Sequence, residues 1–211
     1  MIAFEERMRA GGSAAINHIG EFFMGTDPVH ATLLNITKKL DELGLDYAVA
    51  GALALGAHGH VRATVDVNLL VMSEGYKILR ERLDGSGYVP PFAGSRSLRD
   101  TQTGVRIEFL ISGEFPGDGK PKPVSFPNPA HAATEIDGVH YLRLERLIEL
   151  KLASGMTNPN RLKDLADVQE LIKAVRPSRT LVEQLNPYVR DKFLEFWDGI
   201  RSEPPELGAA S

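Results

Sequence analysis

Asp66-Val67-Asn68 opens a short apolar run that continues through Leu69–Met72. Side chains alternate along a strand, so Asp66 and Asn68 share one face while Val67 takes the other. Two oxygen-bearing side chains at the start of a buried strand are a poor choice for packing alone. They suit a hard cation such as Mg²⁺, which takes oxygen ligands. Taken alone, the pair also fits a solvated strand start, so its meaning depends on what surrounds it. Upstream, the apolar run Tyr47–Ala50 meets a small-residue turn at Gly51-Ala52. Such a turn at a helix start aims backbone N–H groups at an anion. A cation beside an anion-binding turn is equipment for handling phosphate.

The elements that must hold these residues can be read in order. Asp27-Pro28 is an N-cap followed by proline at the first helical position. The helix it opens carries Val29, Leu33, Leu34, Ile36, Leu40 and Leu43 on one face and ends at Gly44. Leu45–Ala50 is a strand, Leu53–His58 a short helix broken by Gly59, and Val65–Met72 the second strand. Ser73–Leu83 reads as a helix with Ser73 as its N-cap. Ser97–Thr101 and Val105–Ile111 form a hairpin around Thr103-Gly104, with Arg106 and Glu108 on one face and Ile107 and Phe109 on the other. Ser112–Pro129 is rich in glycine and proline and reads as a loop, with one short strand near Val124–Phe126.

Asp137-Gly138 turns into the strand Val139–Leu142, and helices follow at Leu144–Ala153, Asn160–Val175 and Leu181–Trp197. The expected fold class is α/β (α+β): a small mixed sheet flanked by helices, with a helical C-terminal portion. The expected domains are a loosely attached helical segment at 1–27, a core at 28–142, the helical portion at 143–203 and a disordered tail at 204–211. His58 and His60 lack a third ligand at a telling spacing, and His58 reads as a packing or capping residue near the site. Phe193, Phe196 and Trp197 fall at helical spacing and read as core or a partner surface.

Bulk properties narrow the field. With 211 residues, 43% hydrophobic and 25% charged, the chain is long enough to bury a sizeable core. A net charge of −4 argues against a molecule-wide field for nucleic acid, though not against a local basic patch. The absence of cysteine removes disulfides and thiolate metal sites and agrees with a cytoplasmic setting. No apolar run is long enough to span a membrane, so no membrane partner is expected.

Gly51-Ala52-Leu53-Ala54-Leu55, His58-Gly59, Arg62, Thr64 and Asp66-Val67-Asn68-Leu69-Leu70-Val71 together resemble the signature of the nucleotidyltransferase superfamily, with its DNA polymerase β-like fold. Within it they look most like the minimal prokaryotic branch that includes the AbiEii-like abortive-infection toxins. The segment Leu147–Leu152 with Arg161, Asp164 and Asp167 is similar to a helical element of the same branch, so the resemblance spans roughly residues 45–175. It implies a third acidic ligand on a neighbouring strand, which Glu108 supplies, beside the metal ligands Asp66 and Asn68. It also implies Mg²⁺ as cofactor and an NTP as substrate, with phosphate contacts from Gly51, Ala52, Arg62, Thr64 and Arg161. Lys151 would neutralise charge on the leaving pyrophosphate, and Asp164 or Asp167 would act as general base or orient a basic residue. The acceptor would be a hydroxyl on RNA, protein or a small molecule, and an antitoxin is an implied partner.

The chain departs from the family pattern twice. Asn68 stands where the second aspartate is usual; it keeps an oxygen but removes a charge. Ala52 stands where a second glycine or a serine is usual, so a hydroxyl contact to phosphate is lost while the backbone donors remain. The rival expectation is therefore a nucleotide-binding or protein-interaction module with the same fold and no turnover. Plain structural roles also remain open: Lys151 as a lysine whose stem lies on the helix surface, and Arg161 with Asp164 as an i,i+3 charge pair.

Overall fold

The computed structural model describes residues 4–9 and 12–202. The chain divides into two compact units. One is formed by Met1–Ala57, Val61–Glu114 and Phe126–Arg143, and the other by His58–His60, Phe115–Ser125 and Leu144–Ser211.

The first unit is built on a seven-stranded mixed sheet in the order β3-β4-β5-β2-β1-β7-β6. Its strands are β1 (Tyr47–Ala50), β2 (Asp66–Val71), β3 (Tyr88–Val89), β4 (Leu98–Asp100), β5 (Arg106–Ile111), β6 (Ala133–Ile136) and β7 (Val139–Leu142). The centre is β1, β2 and β5. β1 runs antiparallel to β2 with Ala50 opposite Asn68, and β2 runs parallel to β5 with Asp66 opposite Arg106 and Asn68 opposite Glu108. The expected hairpin forms as β4 and β5, with Leu98 opposite Ile107.

Alternation sorts the central strands into two faces. Tyr47, Val49, Val67, Leu69, Ile107 and Phe109 enter one core with Val29, Leu33, Ile36 and Leu40 of α3 (Pro28–Glu42) and with Leu79 and Leu83 of α5 (Ser73–Leu83). Burying each large aliphatic side chain stabilises by about 1.5–3 kcal/mol, so the face is firmly specified. α3 starts where expected: Asp27 caps it, accepting from Val29 N at 2.7 Å. The N-terminal helices α1 (Phe4–Arg9) and α2 (Gly12–Phe23) are better anchored than expected. Phe4 and Phe22 are buried in the same core, and Glu5 pairs with Arg99 at 2.8 Å.

Several local expectations need correction. Leu34 is 59% exposed, because at 100° per residue it turns away from its buried neighbour Leu33. Ser73 is the first helical residue of α5 and Met72 occupies the cap position, without a side-chain cap bond. Val124–Phe126 forms no strand, while the short strands β3 and β6 were not anticipated. The tail after Ser202 and the residues around Gly11 lie outside the described residues.

The second unit is helical. It contains α7 (Leu144–Thr157), α8 (Leu162–Val175) and α9 (Pro187–Ser202), with 3₁₀ turns at Pro159–Arg161 and Arg179–Gln184. The expected helix Leu181–Trp197 is interrupted, because Pro187 cannot continue a preceding helix and instead opens α9. Glu149, buried in α7, accepts from Asn186 N at 2.5 Å just ahead of α9 and takes an ion pair from Arg146. Phe193 is fully buried, and Trp197 donates its indole N–H to Pro177 O at 3.0 Å. Among the described residues no helix is long and apolar enough to cross a membrane.

Candidate active site

The second face of the central strands carries the polar residues. Asp66 and Asn68 lie on it from β2, Arg106 and Glu108 from β5, and Ala48 and Ala50 from β1. In-register neighbours on paired strands point to the same side. The two aspartate-position residues and Glu108 therefore meet, and Arg106 meets them too. Ala48 and Ala50 are themselves buried, so the patch is bounded by packed residues on the β1 side.

Gly51 shapes the edge of the patch. Its φ of +67° is a left-handed conformation that disfavours a side chain. A Cβ there would also come within 3.0 Å of the Asn68 amide nitrogen. Glycine is required twice over: it lets the chain leave β1 sharply into α4 (Gly51–Ala57), and it lets the Asn68 amide lie against the turn. Ala52 follows, buried at the start of α4.

The charges on this face are paired. Thr64 Oγ1 donates to Asp66 Oδ1 at 2.7 Å, which fixes the carboxylate. Arg106 Nη2 lies 2.7 Å from Glu108 Oε1 and 3.9 Å from Asp66 Oδ2, so one guanidinium spans both carboxylates. Its Nε is buried and meets no acceptor. The side chains of Asp66, Glu108 and Arg106 are 21%, 35% and 38% exposed, so solvent and ligand can reach them. Arg62 lies partly buried ahead of Thr64.

Among the described residues no three His, Cys, Asp or Glu side chains group as a metal site. What the face offers is two carboxylates and one amide, all oxygen donors suited to a hard cation. Two carboxylate charges balance one divalent ion. With Asn68 neutral and Arg106 between the acids, they do not carry the charge for two.

Within the helical unit, Lys151, Asp164 and Arg161 are brought together. Lys151 Nζ donates to Asp164 Oδ1 at 2.9 Å and to Asp167 Oδ2 at 2.6 Å, and all three side chains are buried. Ser154 Oγ donates to Asp164 Oδ2 at 2.7 Å, and Arg161 Nε reaches the same oxygen at 2.8 Å. Burial would push the Asp164 carboxyl up, but the Lys151 charge, hydrogen bonds from Ser154 and Lys151, and the Arg161 charge outweigh it. The net effect holds it below its ordinary 3.8. Two of the ammonium's three donors are therefore committed to carboxylates.

Arg106 is the residue that sequence reading left without a role. Its i,i+2 spacing from Glu108 put it on the acid face, but only the β2–β5 register places it opposite Asp66.

Comparison with solved structures agrees with this architecture. The chain is similar to the crystal structure of ANT(2'')-Ia in complex with adenylyl-2''-tobramycin, at 16% identity and a TM-score of 0.51, covering 78% of this chain and 96% of that one. It is also similar to the solution structure of the antibiotic-resistance factor ANT(2'')-Ia, at 15% identity and a TM-score of 0.52, covering 82% and 97%. The fold is the nucleotidyltransferase fold. No protein-family model matches the sequence, and no curated protein matches it.

Proposed function

We propose that the polar face of β2 and β5 binds a nucleoside triphosphate and transfers its nucleotidyl group to a hydroxyl acceptor. The observation that carries this reading is the parallel register setting Asn68 opposite Glu108, with Asp66 one step along the same face and the Gly51 turn beside them. Asp66, Asn68 and Glu108 would hold Mg²⁺, which when bound neutralises triphosphate charge and makes an acceptor hydroxyl a better nucleophile. Thr64 keeps the Asp66 carboxylate oriented. Backbone N–H groups of Gly51 and Ala52 contact phosphate oxygens, and Arg62 adds positive charge. The acceptor hydroxyl gives up its proton to water as its oxygen bonds to the α-phosphorus, the bond from that phosphorus to the α–β bridging oxygen breaks, and pyrophosphate departs. In this reading Lys151, Asp164 and Arg161 hold the helical unit together.

The AbiEii-like resemblance makes an RNA end the first acceptor to try and an antitoxin the partner to seek. The ANT(2'')-Ia structure, which holds adenylyl-2''-tobramycin, makes a small molecule the second acceptor. Thermal unfolding with Mg²⁺ and each of the four NTPs tests binding, and transfer of label from [α-³²P]NTPs to RNA, protein or small molecules tests chemistry. Asp66→Ala should lower transfer on the order of a hundredfold or more, since even partners behind a metal ligand are worth 10–100-fold. No stabilisation by any NTP and no transfer of label would overturn the reading.

A second reading is favoured by one observation: Asn68 and the Arg106 pairing both weaken the acid face. A protein that binds nucleotide without turnover would show stabilisation, no transfer, and no gain in Asn68→Asp. Transfer that rises in Asn68→Asp identifies an enzyme with a weakened metal site.

A further inference from the structure

Building on the nucleotide-binding reading, we propose that Arg106 is a built-in cation standing in for a second divalent ion, so that the chain binds a nucleoside triphosphate with a single metal ion. Arg106 faces Asp66 across the β2–β5 pair and lies two residues from Glu108 on its own strand. Its Nη2 sits 2.7 Å from Glu108 and 3.9 Å from Asp66, between the two carboxylates, as a bridging metal ion would. A guanidinium cannot lose its charge in a protein and presents its donors in a fixed plane, so it is a permanent cation in that place.

The charges match this substitution. A pair of divalent ions calls for a third negative side chain where Asn68 stands. Asn68 removes one negative charge and Arg106 adds one positive charge. Together the two differences offset the two positive charges of one absent divalent ion. Neither alone would do so, which links an unexplained amide on β2 to an unexplained arginine on β5.

The surroundings keep Arg106 on this duty. Its in-register neighbour on β4, Arg99, is taken up by Glu5, with contacts of 2.8 and 3.0 Å, and by Gly104 O. Arg99 is thereby paired with Glu5, while Arg106 pairs with Glu108. The orphaned Nε of Arg106 is a donor that a small shift of the side chain on ligand binding would relieve.

The test counts metal ions. Mn²⁺ is titrated into the full chain with substoichiometric α,β-methylene analogues of the four ribonucleotides, and bound Mn²⁺ is read by electron paramagnetic resonance. The wild-type complex should hold one Mn²⁺ per bound nucleotide, and the Asn68→Asp/Arg106→Met double variant two. Arg106→Lys, which keeps the charge, should stay at one. Two ions in the wild type would overturn the inference without touching the nucleotide-binding reading. A double variant that binds nucleotide but stays at one ion would also overturn it. If no analogue binds at any Mn²⁺ concentration, the nucleotide-binding reading fails and this inference with it. The wild-type count decides the matter even if the double variant does not fold.

Discussion

Among the described residues, Arg106 and Lys151 are each set between two carboxylates, and the two places differ mainly in water. On the sheet, Arg106 spans Asp66 and Glu108 with all three side chains 21–38% exposed. In the helical unit, Lys151 spans Asp164 and Asp167 with side chains 4–8% exposed. Exposed ion pairs are worth little because water competes for each partner, typically below about 1 kcal/mol. Buried ones have already lost their hydration, so each partner is indispensable to the others. The first arrangement can open to admit a ligand at small cost; the second cannot. The difference separates ion pairs that water can loosen from ion pairs that it cannot reach.

The comparison breaks most visibly at Lys151. Lys151→Met leaves Asp164 and Asp167 buried beside each other with Arg161 as the remaining cation within reach of Asp164. Removing one partner of a buried pair costs about 3–5 kcal/mol, a large share of the 5–15 kcal/mol that holds a typical domain. Urea unfolding should show that loss, and activity should fall with it. Full stability with lost nucleotide transfer would return Lys151 to a phosphate-binding role.

Much of this was legible in residue spacing. Period two along Asp66-Val67-Asn68 and Arg106-Ile107-Glu108 placed the polar groups on faces before any coordinates. The helix cap at Asp27 and the i,i+3 pairing of Arg161 with Asp164 followed from local chemistry. What could not be read was anything set by pairing between distant segments. Whether Arg106 or Glu108 lies opposite Asp66 depends on a two-residue register shift, which keeps every side chain on its face and which alternation alone therefore leaves open. The burial of Lys151 depends on α8 bringing two aspartates over α7, and an isolated amphipathic pattern gives a lysine there an exposed role by default. The break at Pro187 was visible as a proline, but apolar spacing on either side of the 3₁₀ turn imitated one continuous helix.

The next effect sharpens the role of the turn. Gly51→Ala asks a residue with a Cβ to take φ +67° and pushes that atom to 3.0 Å from the Asn68 amide. The left-handed conformation costs roughly 1–2 kcal/mol, and the contact displaces Asn68 from its place. Stability should fall by that amount while nucleotide binding falls further, because the change reaches a proposed ligand. Equal losses in both would mean that the turn serves folding alone.

Acid separates the two clusters by a smaller effect. Asp164 titrates below its ordinary 3.8 when folded, so on acidification the unfolded chain takes up this proton first. Its contribution is complete above pH 3.8 and is lost as pH falls through the lower folded value. Wild-type stability should therefore decline below about pH 4, and Asp164→Asn should flatten that decline even though it starts from a less stable protein. An unchanged slope in Asp164→Asn would show that the Lys151 cluster does not control the acid limb.

The smallest effect is expected where the comparison is most exposed to failure. Arg106→Met removes a cation 2.7 Å from one carboxylate and 3.9 Å from another, yet it should change stability by less than about 1 kcal/mol. Water already reaches all three groups, and the lost attraction is partly returned as hydration of Asp66 and Glu108. That small difference should shrink further in 1 M salt, where the screening length is about 3 Å. The same substitution in the Lys151 cluster is expected to cost several times more. A loss at Arg106 comparable to that at Lys151, and insensitive to salt, would mean that Arg106 is a structural tie. The ion pairs on the acid face would then be too strong to loosen for a ligand.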